Sequence, residues 1–308
     1  MTSGTGWFAT NDLSDNPMNT STGDSKPVEI LYIIGSGRSG STLLCNILGT
    51  QPDFVNAGEI YNFRHCFDTV NKYDRHCSCG AVLDECLYWK KAITLAGARA
   101  GTDRLDLKFG DPSTLVVHNY AMLSVIRVIT GKRVIIDSSK RFNRLQMLLA
   151  SPQFRITMLH LVRDGRAFAY SEMMTAMKRN LPHKLHFFRR LLKWQNKNIG
   201  VRLTFGRMPS YHLLHYEDFV NNPNKVLSEI TGWYGMSFDP AQLDRQDRTQ
   251  MHEFSGNSDF ISRKSMEIRM DTRYLEHLDA WKWVPGTLLA AAGLRLFGYP
   301  FRRKMPRT

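Results

Sequence analysis

The stretch from Glu29 to Thr50, EILYIIGSGRSGSTLLCNILGT, limits what this chain can fold into more than any other. Ile30 to Ile34 is a short apolar run, the pattern of a fully buried strand. Gly35, Ser36 and Gly37 break it. Ser41 and Thr42 then open an apolar-periodic segment, Leu43, Leu44, Ile47 and Leu48. Gly49 ends it with Pro52 just beyond, and the pattern predicts a helix. Strand, glycine-rich turn and helix together make an anion cradle. Glycines let backbone N–H groups approach a phosphate, and the helix N-terminus adds partial positive charge. Arg38 lies inside the loop, Ser39 and Gly40 follow it, and the Ser41 and Thr42 hydroxyls stand at its exit.

A Walker A loop places a lysine just before its hydroxyl residue. Here the cation, Arg38, comes three residues before Ser41, so the loop is of a different kind. The run Arg38-Ser39-Gly40-Ser41-Thr42-Leu43-Leu44 resembles the loop that holds the 5′-phosphosulfate in sulfotransferases using 3′-phosphoadenosine-5′-phosphosulfate (PAPS). The match is to the R-S-G-[ST]-T-L form of the carbohydrate and tyrosylprotein branches, and the chain as a whole looks like a bacterial-type sulfotransferase.

Composition agrees with an acidic ligand. The chain has 308 residues, 43% of them hydrophobic, and a net charge of +13. That is enough for a sizeable core and points to a nucleotide, an acidic glycan or another anionic partner. Between Met173 and Tyr216 there is no Asp or Glu but nine Lys or Arg, either a solvated helix face or a basic rim. No run reaches the ~18 apolar residues of a membrane span. The N-terminus lacks a basic-then-apolar signal pattern. Five cysteines are too few and too uneven for a secreted disulfide scaffold, so a cytoplasmic protein is the expectation.

Residues 1–27 are polar and aperiodic and read as a disordered leader, 28–301 as one domain, and 302–308 as a basic tail. After the loop helix, Phe54 to Ile60 reads as a short strand that delivers Glu59 to the edge where open α/β sheets bind ligands. In the tyrosylprotein enzymes a Glu at this distance after the loop arginine acts as base, so the resemblance gives Glu59 that role. Cys77, Cys79 and Cys86 lack the paired C-x2-C knuckles of common zinc sites. Free thiols or one disulfide in a locally packed insertion are expected there, with zinc as the lesser alternative. Thr114 to Ile129 reads as a packing helix.

Arg133 to Asp137 is a strand running into Ser138-Ser139-Lys140. The segment resembles the family's D-S-S-K stretch, whose lysine reaches the sulfonate or bridging oxygen. Arg155 to Val162 is a buried strand followed by Arg163-Asp164-Gly165-Arg166 and a helix to about Arg179. This looks like the family's second motif, in which Arg163 and Ser171 would bind the 3′-phosphate. A basic amphipathic helix spans Lys184 to Phe205, and Tyr211 to Tyr216 is a strand. Asn222 is expected to cap a helix opened by Pro223 and ending near Tyr234. Ser255 to Lys264 is the candidate closing loop, and Pro285 to Phe297 a single last helix.

The recurring strand–loop–helix order predicts a three-layer α/β, P-loop-like fold with a central parallel sheet flanked by helices. The resemblance, over roughly residues 29 to 300, implies a PAPS-dependent sulfotransferase. Residues 35–42, Arg163 and Ser171 would hold the nucleotide, Glu59 would act as base, and Arg38 and Lys140 would stabilise the leaving phosphate. No metal is expected in the reaction. Asp137 and His65 are the reserve candidates for the base. The R-S-G-S-T loop and the absence of the soluble-type closing motif favour a carbohydrate hydroxyl as acceptor, with a peptide tyrosine as the lesser alternative. Two other readings are a P-loop small-molecule kinase and a non-catalytic anion- or nucleic-acid-binding module. The first lacks its Gly-Lys-Ser/Thr and the second its aromatic or zinc-finger spacing.

Overall fold

Strand β1 (Val28–Gly35) sits in the middle of the fold, and its alternation builds two cores at once. Ile30, Tyr32 and Ile34 face one layer of helices while Leu31 and Ile33 face the other, the period-two consequence of a strand buried on both sides. The computed structural model describes residues 26–63, 76–108, 110–181, 185–241, 251–254 and 268–303. The leader through residue 25, His65, the 255–264 segment and residues 304–308 lie outside the described residues.

Four further strands join β1: β2 (Phe54–Asn56), β3 (Val134–Asp137), β4 (Phe154–Val162) and β5 (Tyr211–His215). Their order is β2-β3-β1-β4-β5, and every pairing is parallel. The longest register runs from Val28 opposite Phe154 to Gly35 opposite Leu161. With all strands parallel, their carboxyl ends share one edge of the sheet. The chain fills one side of β1 first, then crosses to β4 and β5 on the other, which makes that edge a topological switch point.

On one face, α1 (Ser41–Gly49) packs with Leu31, Ile33, Leu159 and Leu161, α7 (Tyr216–Asn221) adds Phe219, and α8 (Pro223–Gly232) adds Val226, Leu227 and Ile230. The other face is covered by α2 (Leu87–Ala100), α3 (Pro112–Thr130) and α4 (Phe142–Leu149). The third cluster joins α5 (Gly165–Lys178) and α6 (His186–Phe205) to the C-terminal helices. The Asp111 carboxylate caps α3 by accepting from Ser113 N and Thr114 N at 3.0 Å each. At 19 residues α3 is long and apolar enough to cross a membrane, yet Met122, Leu123 and Ile126 are fully buried against the sheet. Its Asn119 side chain receives a buried hydrogen bond from Arg144.

Two local expectations are corrected. The single last helix is two, α10 (Ala280–Leu289) and α11 (Ala291–Leu296), after the short α9 (Arg273–His277). The break is clamped by one side chain: Gln195 donates to Leu289 O at 3.2 Å and accepts from Gly293 N at 2.9 Å. Such non-local capping leaves no mark in the sequence around Ala290. Pro223 does open α8, but Asn222 makes no side-chain cap bond, and the helix ends at Gly232 rather than Tyr234.

Under the sheet edge a buried polar chain runs from β5 to the loop after β1. Asn198 Nδ2 donates to Trp194 O at 2.8 Å and to Ser36 Oγ at 3.0 Å, which leaves Asn198 Oδ1 as acceptor for His160 Nε2–H at 3.0 Å. His160 Nδ1 then accepts from the Tyr211 hydroxyl at 2.8 Å. Burial pushes the His160 imidazole down from 6.5 to about 4. The unfolded chain therefore takes up this proton first. The contribution is fully present above pH 6.5 and is lost as pH falls toward about 4. The loss over that window amounts to about 3 kcal/mol, from ~1.4 kcal/mol per pH unit. Urea midpoints of the wild type should fall across this window more steeply than those of His160→Gln. Parallel pH profiles for the two proteins would contradict the assignment.

Candidate active site

Each parallel strand hands a polar group to the same edge. After β1 comes the loop of Gly35 to Gly40, after β2 Glu59, after β3 Ser138 to Lys140, after β4 Arg163, and after β5 Tyr216. Gly35 (φ 132°) crosses close over β4: a Cβ there would lie 2.3 Å from Leu161 O. Gly40 (φ 84°) lies against the Tyr216 ring, 2.6 Å from where its Cβ would be. Gly40 is also the N-cap of α1. It supplies no side-chain cap, and no acidic residue occupies the first turn. The helix therefore presents its first N–H groups, with partial positive charge, to the space above the loop. Ser36, Ser39 and Ser41 are buried in the loop wall, whereas Gly37, Arg38 and Thr42 are half-buried.

Arg38 and Lys140 both adopt left-handed backbone, with φ of 55° and 58°; among the described residues only Asn180 is a further non-glycine case. Such conformations cost of order 1–3 kcal/mol and persist where surroundings impose them. For Arg38 the surroundings are Arg163, whose Nη1 donates to Arg38 O at 3.2 Å, and Glu172, 3.4 Å from Arg38 Nε. For Lys140 they are Lys197, donating to Lys140 O at 3.0 Å, and Tyr32, whose hydroxyl bonds both N and O of Arg141.

The Lys140 ammonium meets the Glu59 carboxylate at 2.6 Å. Asn62 Nδ2 holds the other Glu59 oxygen at 3.1 Å. The turn carrying Glu59 is fastened to β3 and α1: Ser138 N donates to Gly58 O at 2.9 Å, Gly58 N to Asn56 Oδ1 at 2.9 Å, and Asn56 Nδ2 to Asn46 Oδ1 at 2.8 Å. Base candidate and cation candidate, 81 residues apart in sequence, thus converge on one point.

Arg163 is buried beside the loop. Its guanidinium lies over the Tyr216 ring at 4.6 Å, donates to Asp271 O at 2.9 Å and pairs with the Asp271 carboxylate at 3.2 Å. Burial pushes the Asp271 carboxyl up, but Arg273 and Arg163 outweigh it and hold it down at about 2. Ser171 is half-buried on α5, one residue before the Glu172 that pairs with Arg38. The other charges of the Arg163-Asp164-Gly165-Arg166 motif serve the fold. Arg166 pairs with Asp164 at 2.7 Å, donates to Pro300 O and lies over Trp283 at 4.2 Å. A Cβ on Gly165 would be 2.5 Å from Trp194, so α6 docks directly on the start of α5.

Asp137, a reserve base on sequence grounds, is completely buried and paired with Arg144 at 2.9 Å, and its Oδ1 accepts from Ser139 N. It shapes the turn that presents Lys140 and is not open to a substrate. His65, the other reserve, is outside the described residues. Sequence reasoning missed Lys197. Burial, then the charges of Lys140, Arg141 and Lys193, push its ammonium down to about 8 against the pull of Glu59. Its signal lies in the spacing: Lys197 falls three residues after buried Trp194 and next to buried Asn198, at the margin of the helix's buried stripe.

A glycine-rich loop under an uncapped helix, backed by converging cations and a carboxylate, defines an enzyme site for transfer of an anionic group. The sequence comparison names the class. The profile of the sulfotransferase family matches residues 31–240, 210 of the 308, and the chain belongs to that family. It is a sulfotransferase enzyme. Solved structures share the fold. The sulfotransferase domain from the Synechococcus PCC 7002 olefin synthase aligns with a TM-score of 0.57 at 19% identity, over 89% of this chain and 96% of that one. The sulfotransferase domain from the curacin biosynthetic pathway gives 0.53 at 17% identity, over 89% and 99%. No curated protein matches the sequence significantly.

Arg38 offers a half-buried forked cation in the loop between β1 and α1, so its removal should weaken nucleotide binding as well as rate. A charged hydrogen bond contributes ~1.5–3 kcal/mol, so Arg38→Ala should raise the Kd for 3′-phosphoadenosine-5′-phosphate (PAP) roughly 10- to 100-fold. Arg38→Lys should recover only part, because a point charge replaces a fork. Calorimetry checks both variants, and an unchanged Kd in Arg38→Ala would remove Arg38 from the site.

Proposed function

We propose that this enzyme takes the sulfonyl group from PAPS and transfers it to a carbohydrate hydroxyl at the edge between β1 and β3. The carrying observation is the 2.6 Å meeting of Glu59 and Lys140 beside the uncapped N-terminus of α1. In this reading the loop amides of Gly35 to Gly40, the hydroxyls of Ser41 and Thr42 and the Arg38 guanidinium hold the 5′-phosphosulfate. The acceptor oxygen attacks sulfur as the bond from sulfur to the bridging oxygen breaks. The acceptor proton passes to the Glu59 carboxylate, and PAP leaves with its new charge facing Lys140, Arg38 and the helix N-terminus. Charge stabilisation of this kind is commonly the largest catalytic contribution, and a positioned base adds ~10²–10⁴-fold.

Arg163 and Ser171 form the 3′-phosphate site in the same proposal. Asp271 supports it. A carboxylate already sits against Arg163 in the structure, and a phosphate with more charge and more acceptor oxygens is a stronger partner for the same fork. The carbohydrate acceptor rests on the R-S-G-S-T form of the loop. Nucleic acid is not a partner in this reading, and cytoplasmic placement belongs to it as well.

Nucleotide choice tests the proposal. PAP should bind with a Kd on the order of micromolar without Mg²⁺, and 5′-AMP at least ~10-fold more weakly, because only PAP engages Arg163 and Ser171. Calorimetry showing equal affinity for the two nucleotides would remove the 3′-phosphate site from the account.

A further inference from the structure

Four potential metal ligands from two separate pieces of chain meet on the far side of the Glu59 turn. Cys77, Cys79, Cys86 and His252 place their Sγ and Nδ1 atoms within 4.8 Å of one another. The individual separations are informative. Cys79 Sγ to Cys86 Sγ is 3.8 Å, Cys86 Sγ to His252 Nδ1 is 3.4 Å, and Cys77 Sγ to His252 Nδ1 is 3.6 Å. A tetrahedral zinc ion with Zn–S of ~2.3 Å and Zn–N of ~2.0 Å sets its ligands ~3.8 Å apart for S···S and ~3.5 Å for S···N. A disulfide needs ~2.05 Å between sulfurs, so the pair at 3.8 Å is not one. This departs from the simple C-x2-C pattern, which is why the spacing in sequence argued against a metal. The fourth ligand comes 166 residues after Cys86.

The surroundings orient the donors. Ala81 O accepts from Cys77 N and Cys77 O from Gly80 N, both at 2.9 Å, which closes a tight turn at Gly80 (φ 93°). Cys86 is the N-cap residue of α2. The His252 ring stacks on Tyr88 at 4.5 Å and 4°, and its carbonyl accepts from Trp89 Nε1 at 2.9 Å. Ser78 fastens the two segments: its Oγ donates to Met251 O at 2.7 Å and accepts from Glu253 N at 2.9 Å. The ring stacking and the carbonyl bond together fix where the His252 ring sits relative to the thiols.

We propose that Cys77, Cys79, Cys86 and His252 bind one structural zinc ion. The set is closed, with four protein ligands and no open position, so its task is to hold chain segments together rather than to activate a substrate. The segment it holds is significant. Glu253 and Phe254 pack against Gly58, where a Cβ would lie 2.9 Å from Phe254 O and 3.1 Å from Glu253 Cγ. The zinc ion therefore fixes the backing of the turn that presents Glu59. This inference does not depend on the acceptor or on the nucleotide.

The test uses the full chain, purified without chelator from zinc-supplied cells. Elemental analysis should find about one equivalent of zinc, and Cys45→Ser, which removes a buried thiol outside the cluster, should retain it. The Cys77→Ser/Cys79→Ser double variant should hold less than about a tenth of an equivalent. Wild-type protein decides the question even if that variant does not fold. Cobalt exchanged into it should show thiolate-to-cobalt charge transfer and the strong visible bands of a tetrahedral ion, and an organomercurial should release the metal. Wild-type protein with less than about a tenth of an equivalent of transition metal, or cobalt protein without thiolate bands, would overturn the proposal.

Discussion

A fully parallel sheet gathers the carboxyl ends of all its strands on one edge, and this constraint governs the rest of the molecule. Gly35, Asn56, Asp137, Val162 and His215 end their strands there, so whatever follows each strand is delivered to a common place. The loop of Gly35 to Gly40, Glu59, Lys140, Arg163 and Tyr216 are neighbours because of the sheet, although they span some 180 residues of chain. The hydrophobic alternation of β1 therefore contributes to function as directly as any charged group. It seats Ile30, Tyr32 and Ile34 in one core and Leu31 and Ile33 in the other, and so fixes where the loop after Gly35 begins.

Above that frame, the site is held by backbone clamps. Arg38 and Lys140 occupy conformations that non-glycine residues avoid, and each is tied through its own carbonyl, Arg38 by Arg163 and Lys140 by Lys197. Both clamps are themselves cations, which places four positive side chains around one space. The acidic partners Glu59, Glu172 and Asp271 balance three of them in this structure. In the proposed reading a polyanionic donor takes these cations over from carboxylates, so the positive charges stand in place before it arrives and only their acidic partners change.

Much of this was legible in the sequence because the informative residues are local. Strand, loop and helix follow one another directly in residues 29–50, and the strands ending at Asp137 and Val162 lead directly into Lys140 and Arg163. The five-stranded parallel sheet agrees with the three-layer expectation. What the sequence concealed is non-local. The Gln195 clamp at the break in the last helix, the withdrawal of Asp137 behind Arg144, the place of Lys197 beside Lys140 and the pairing of His252 with three cysteines all join residues far apart. Periodicity and motif spacing carry no information about such contacts, because they are set by how the layers stack.

The central claim is that Glu59 takes the acceptor proton while the loop and its cations hold the donor. The most direct measurement is turnover of ³⁵S-labelled PAPS with a panel of carbohydrate acceptors by wild type and Glu59→Gln, alongside PAP affinity for each. The substitution keeps the shape of the side chain and removes its capacity to accept the proton. The account predicts that turnover drops about 10²-fold or more while the PAP Kd moves little, the pattern of an interaction made in the transition state. Near-normal turnover of Glu59→Gln from about pH 6 to about pH 9 would contradict it.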